Sequence, residues 1–203
     1  MIPRLFYITD GKRGRAGRPQ EEVIRAAFEG GVEAVVVREP DPAALLERLA
    51  PLRERGLRVL VSRRLDLARA FELDGVHLAA DAVPVAEARG WLPPGSWIGY
   101  SAHSGEEARR VASAGASYVT LSPVYATDSK PGARGRGAEW LRESLTDLAI
   151  PALALGGVTP GCAEEILKAG AWGVAAVSAI GAAPDVGRAA TEFREVIQSN
   201  PCR

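Results

Sequence analysis

Short apolar runs recur along the chain: LFYI (5–8), AVVV (34–37), RVLV (58–61), GVHL (75–78), WIGY (97–100), YVTL (118–121), ALAL (152–155) and GVAAV (173–177). Most are apolar at successive positions rather than at every second one, the pattern of strands buried on both faces. Between them the apolar positions take helical spacing, as in EEVIRAAFEG (21–30), PAALLERLAPLRERG (42–56), GEEARRVASAG (105–115), AEWLRESLTDL (138–148) and GCAEEILKAG (161–170), with a last helix expected over 184–199. Ser104 before Glu106 and Glu107, and Thr159 before Pro160, have the chemistry of helix starts. Gly56, Gly115 and Gly170 stand where a helix ends in the left-handed conformation.

Eight strands alternating with about eight helices predict a (β/α)8 TIM barrel, class α/β, formed by one domain over 1–203. An internal echo agrees with this. GGVEAVVV (30–37), ELDGVHLA (72–79), AGASYVTLS (114–122) and AGAWGVAAVS (169–178) each run from a helix end through a small residue into a strand, and they hold strands two, four, six and eight. An open doubly wound sheet is the alternative. The strand count and the lack of a GxGxxG turn after the first strand disfavour it.

Composition narrows the function classes. The 203 residues carry 25 basic and 25 acidic side chains, so no net charge draws the chain to nucleic acid or anionic lipid. Two arginine–glycine segments, GKRGRAGRP (11–19) and GARGRG (132–137), are read as loops over an anionic ligand rather than as an RNA-binding surface. Cys162 and Cys202 make neither a disulfide framework nor a metal spacing. The N-terminus has no leader pattern and no run is long enough to span a bilayer, so a cytoplasmic location is expected. No motif fixes the oligomeric state, and a homodimer is compatible with a barrel this small.

In such barrels chemistry sits where strands run into βα loops. The positions brought there are Thr9 and Asp10, Arg38 and Glu39, Ser62 to Arg64, Ala79 to Asp81, Ser101 and His103, Ser122 to Arg136, Gly156 to Thr159, and Ser178 with Ala179. Gly156 and Gly157 precede a helix start, and Ser178 follows the last strand; backbone N–H groups at such a corner cradle a phosphate, although a glycine pair can equally serve a tight turn. Arg38 offers a planar fork and Lys130 a point charge to a further anionic group. Thr127 and Ser129 can donate to phosphate or carboxylate. His77, inside a strand, is read as a core residue. Glu39 is either a proton acceptor or an arginine partner, and His103 either a second candidate base or a brace for its loop.

The segments YITD (7–10), VVVRE (35–39), RLDLARAFELDGVHL (64–78), IGYSAHSGEEA (98–108), SPVYATDSKPG (122–132), LALGGVTP (153–160) and GVAAVSAI (173–180) together resemble the thiamin phosphate synthase and TenI family over nearly the whole chain. The resemblance implies a TIM barrel that binds a thiazole phosphate. It implies pyrophosphate contact for Arg38, a place beside the pyrimidine for Ser101, and the thiazole phosphate side for Thr127, Ser129 and Lys130. It assigns the phosphate cradle to Gly156, Gly157, Val177 and Ser178.

Synthases of the family carry R-E-K, N-D-R and G-Q-x-D after strands two, three and four, and their two aspartates hold magnesium. Here Pro40 replaces the lysine, Ser62 and Arg63 replace the Asn-Asp pair, and Ala80 and Ala82 replace the Gln and Asp, with Asp81 one place off. The pattern is therefore expected to be closer to the TenI branch, whose activity is a metal-independent thiazole tautomerisation. No cofactor is expected on that reading, and Mg2+ only for a synthase. Pro123 stands where the TenI tautomerase has its histidine, so the resemblance leaves Glu39 and His103 as the candidate bases. A divergent synthase and a non-catalytic thiazole-phosphate binder are the alternatives.

Overall fold

A computed structural model describes residues 1–10, 17–127 and 134–201. Eight parallel strands close into a barrel in the order β1 to β8: β1 (Leu5–Ile8), β2 (Ala34–Val37), β3 (Arg58–Ser62), β4 (Gly75–Leu78), β5 (Trp97–Ala102), β6 (Tyr118–Leu121), β7 (Ala152–Ala154) and β8 (Gly173–Ala176). The β1–β8 pairing, with Phe6 opposite Ala175, makes the sheet continuous. An open sheet is thereby excluded, and every apolar run read from the sequence is a strand.

The strands are apolar on both faces because each face has its own core. Phe6, Ile8, Ala34, Val36, Leu60, Tyr118, Leu153 and Ala175 fill the barrel with Ile2. The alternate positions, among them Leu5, Tyr7, Val35, Val59, Val76 and Ile98, pack outward against the helices. Period-two alternation is present in space; both sides are simply apolar.

The helices are α1 (Gln20–Gly30), α2 (Ala43–Arg48), α3 (Ala50–Glu54), α4 (Leu65–Ala70), α5 (Val85–Trp91), α6 (Gly105–Ser113), α7 (Gly137–Leu145), α8 (Pro160–Lys168), α9 (Ser178–Gly181) and α10 (Val186–Ser199). The Ser104 hydroxyl accepts from Glu107 N at 3.1 Å and the Asp185 carboxylate from Arg188 N at 2.9 Å, starting α6 and α10. The helix expected over 42–56 divides at Leu49 into α2 and α3, with Pro51, which lacks an N–H, in the first turn of the second piece. Gly56, Gly115 and Gly170 take φ of 103°, 99° and 104°, as expected for helix ends. No described helix is long and apolar enough to cross a membrane.

Candidate active site at the barrel mouth

Closing the barrel gathers the C-terminal strand ends into one mouth. There the ends of β2, β6, β7 and β8 surround a cavity of about 290 Å3, lined among others by Arg38, Pro123, Thr127, Gly156, Val177 and Ser178. Gly157 also lines it, so five of the expected phosphate-side residues and Arg38 share one space. Ser129 and Lys130 lie outside the described residues. Ser122 and Ala126 are wall residues that the sequence did not single out individually, their signal being adjacency to a strand end, and Pro123, Thr159 and Ala179 join them in the wall.

The glycine pair is shaped by its neighbours. Gly156 and Gly157 have φ of 93° and 63°, which a side chain disfavours. A Cβ on Gly156 would lie 2.8 Å from Pro123 Cα, and one on Gly157 would lie 2.4 Å from the Ala126 carbonyl oxygen. The β7 loop thus rests on the β6 loop, tied by Tyr125 N to Gly156 O at 2.9 Å and Val124 N to Leu155 O at 3.0 Å. These glycines serve both a close approach and a turn. Next to them α8 begins, with Thr159 in extended geometry and its N–H 3.2 Å from Cys162 Sγ. Ser178 and Ala179, which open the single turn α9, line the same wall.

Arg38 is fixed from below. Its backbone N donates to Thr9 Oγ1 at 2.8 Å and its Nε to Thr9 O at 2.9 Å. Thr9 is fully buried, so the guanidinium has a rigid base while it lines the cavity. Burial lowers the Arg38 pKa, Asp10 and Glu39 raise it, and Arg63 lowers it. Even so lowered, an arginine remains charged at neutral pH.

Glu39 faces a neighbouring groove with Gly17, Gln20, Pro40 and Arg48 rather than the cavity wall. His103 is engaged in its loop. Its Nδ1 is 2.8 Å from Ser122 O, so that nitrogen carries the proton and donates, and its N–H donates to Glu107 at 2.8 Å. Its own carbonyl accepts from Arg136. Of the two roles read for His103, this geometry is that of the brace.

Ser101 lies deeper. His77 is buried inside the barrel, as expected, with Nδ1 2.9 Å from the Tyr118 hydroxyl and Nε2 2.9 Å from Ser101 Oγ. Burial, then the Arg38 charge, pushes the His77 pKa down to about 4, so the ring is neutral at pH 7. A Cβ on Gly99 would lie 2.4 Å from Tyr118 Oη and 2.5 Å from His77 Nδ1, so the absent side chain makes room for this pair. The chain Tyr118–His77–Ser101 orients the Ser101 hydroxyl from the barrel interior.

The positions that would hold a metal are differently occupied. Arg63 donates to Asp81 at 2.6 Å, joining the β3 and β4 loops, and Ala80 and Ala82 offer no ligand. Among the described residues no group of three or more His, Cys, Asp or Glu side chains could hold a metal ion. The donor set does not fit magnesium, which takes oxygen ligands around its charge.

The family described as thiamine monophosphate synthase (TMP-TENI) matches residues 5–180. The chain belongs to this thiamine-biosynthesis family. It is 40% identical over 200 residues to the thiamine-phosphate synthase of Methanoculleus marisnigri, covering 95% of this chain and 94% of that one. It is 37% identical over 201 residues to that of Chloroflexus aurantiacus, covering 96% and 92%. The solved thiamine phosphate pyrophosphorylase from Pyrococcus furiosus superposes with a TM-score of 0.86 at 34% identity, covering 97% of this chain and 96% of that one. These relatives bear synthase names, whereas the sequence motifs alone pointed toward the TenI branch of the family.

Proposed function

We propose that this protein is a thiamin phosphate synthase, a transferase that joins a pyrimidine pyrophosphate to a thiazole phosphate and releases pyrophosphate. In this reaction the C–O bond to the pyrimidine methylene breaks and its electron pair leaves on the diphosphate. The thiazole ring nitrogen supplies a lone pair for the new C–N bond and becomes cationic. No proton is removed, so the chemistry calls for cations and N–H donors facing the anions rather than for a base.

The observation that carries this reading is the cavity wall. Its described residues include Arg38, hydroxyls and glycine backbone, but no Asp, Glu, His or Lys side chain to move a proton. Gly156, Gly157, Val177 and Ser178 hold the thiazole phosphate, with Thr127 beside it; Ser129 and Lys130 join that side by resemblance to the family. Arg38 holds the leaving pyrophosphate, and Ser101, set by His77, faces the pyrimidine. The 40% identical relative named thiamine-phosphate synthase supports the same assignment.

The thiazole tautomerase is the second reading, favoured by the absent metal ligands at Arg63, Ala80 and Ala82. It needs a base; Glu39 lines a neighbouring groove, and the His103 ring is tied through Nδ1 to the Ser122 carbonyl. Supplying both substrates and measuring pyrophosphate release tests the proposal. Release that requires both substrates supports it. Conversion of the dihydrothiazole carboxylate phosphate to its aromatic tautomer without pyrophosphate release supports the second reading.

A further inference from the structure

The mismatch between a diphosphate-releasing reaction and a mouth with no metal-ligand cluster among its described residues is resolved in the loop after β3. Arg63 is a non-glycine residue at φ 64°, a conformation that asparagine or glycine would adopt at lower cost. Its backbone is pinned there: Arg63 N donates to His77 O at 3.0 Å, Arg64 N to Ser62 O at 2.8 Å, and Leu65 N to Arg63 O at 3.2 Å. The side chain bridges to Asp81 across the strand ends, linking the β3 and β4 loops.

The charges around this point favour an anion. β2 and β3 pair side by side with Val37 opposite Val61, so Arg38 and Arg63 follow adjacent strand ends, and the Arg63 charge opposes protonation of Arg38. The carboxylates that neighbour them are Asp10 and Glu39 for Arg38 and Asp81 for Arg63. The Arg63 and Asp81 side chains are 51% and 67% exposed, and an ion pair so open contributes little to stability. Arg63 can therefore exchange the Asp81 carboxylate for a phosphate oxygen at small cost. A guanidinium presents paired donors that match phosphate geometry and, unlike a metal, needs no carboxylate cage.

We propose that Arg63, acting with Arg38, binds the diphosphate of the pyrimidine substrate in place of a divalent cation, and that the reaction is magnesium-independent. This rests on the transferase reading above. The departing diphosphate leaves as an anion neutralised by two fixed guanidinium groups, and no other co-reactant is required.

The test uses the full chain and inorganic pyrophosphate as the probe, titrated by calorimetry in EDTA and again with excess magnesium. The variant is Arg63→Asn, which removes the charge yet suits the left-handed backbone, so folding is retained. Wild type is expected to bind pyrophosphate in EDTA, and Arg63→Asn to bind it roughly tenfold or more weakly, the loss expected for a charge-assisted contact. The variant's affinity for thiazole phosphate, on the far side of the mouth, is expected to be unchanged.

Pyrophosphate binding that demands magnesium, or equal affinity in wild type and Arg63→Asn, overturns the inference. Turnover assays on both substrates separate the two claims. Synthesis that occurs only with magnesium keeps the transferase and removes the role of Arg63. Metal-free pyrophosphate binding through Arg63 without any synthesis keeps the anion site and removes the transferase. Neither binding nor synthesis removes both.

Discussion

Gly157 approaches Ala126 so closely that a single added methyl carbon would sit 2.4 Å from the Ala126 carbonyl oxygen. The contact joins the β7 loop to the β6 loop, and Thr127 is the next residue along. This cavity wall is thus a two-loop structure whose spacing is set by the absence of a side chain.

Gly157→Ala is accordingly expected to do two things at once. It places a side chain at φ 63° and pushes the β6 loop away. A stability loss of about 1–3 kcal/mol is expected from the strained conformation. Thiazole phosphate affinity is expected to fall by more than the stability loss explains. Thermal unfolding and calorimetric titration of the variant measure the two effects separately.

Arg38 is held by two bonds to Thr9 while its fork faces the cavity. Arg38→Ala is expected to lower kcat/KM by roughly 100-fold or more, the scale seen when one preorganised donor to a developing anion is removed. Arg38→Lys retains charge but loses both the planar fork and the Nε bond, so it is expected to recover only part of the rate. Steady-state kinetics with both variants check this; equal activity of wild type and Arg38→Ala would displace Arg38 from the site.

His77 couples folding to pH. Its folded pKa of about 4 lies below the ordinary value of 6.5, so the unfolded chain takes up a proton first as pH falls. The stability due to keeping this ring neutral is complete above pH 6.5 and is lost as pH falls from there toward 4. The full loss amounts to roughly 3 kcal/mol, at about 1.4 kcal/mol per pKa unit. Denaturant titrations at a series of pH values should show wild type losing more stability across this window than His77→Gln. Parallel pH profiles would contradict the buried neutral ring.

Glu39→Gln distinguishes the two chemistries. Under the transferase reading no proton leaves the substrate, so pyrophosphate release is expected to change by no more than a few-fold. Loss of all activity in this variant would instead mark Glu39 as the base of a proton shift.

The sequence displayed the barrel almost completely, because strands buried on both faces announce themselves as continuous apolar runs. It displayed the cavity wall for a related reason: Gly156, Gly157, Val177 and Ser178 follow strands, and barrel topology brings strand ends together. Relationships set by register were less legible. Tyr118 and Ser101 are 41 and 24 residues from His77, and only the pairing of β4 with β5 and β5 with β6 makes one chain of them. The ion pair of Arg63 with Asp81 was hidden in the same way, since Asp81 in sequence is simply a ligand displaced by one position. The sequence also left Glu39 and His103 as candidate bases by residue type. The structure gives His103 a loop-bracing geometry and turns Glu39 to a neighbouring groove.

The most direct test of the central claim is pyrophosphate release by the full chain given pyrimidine pyrophosphate and thiazole phosphate, with each substrate omitted in turn. Release that requires both substrates, with thiamin phosphate formed in equal amount, is the predicted result. No release with magnesium or without it, alongside conversion of the dihydrothiazole carboxylate phosphate to its aromatic tautomer, would contradict the transferase and make this barrel a tautomerase.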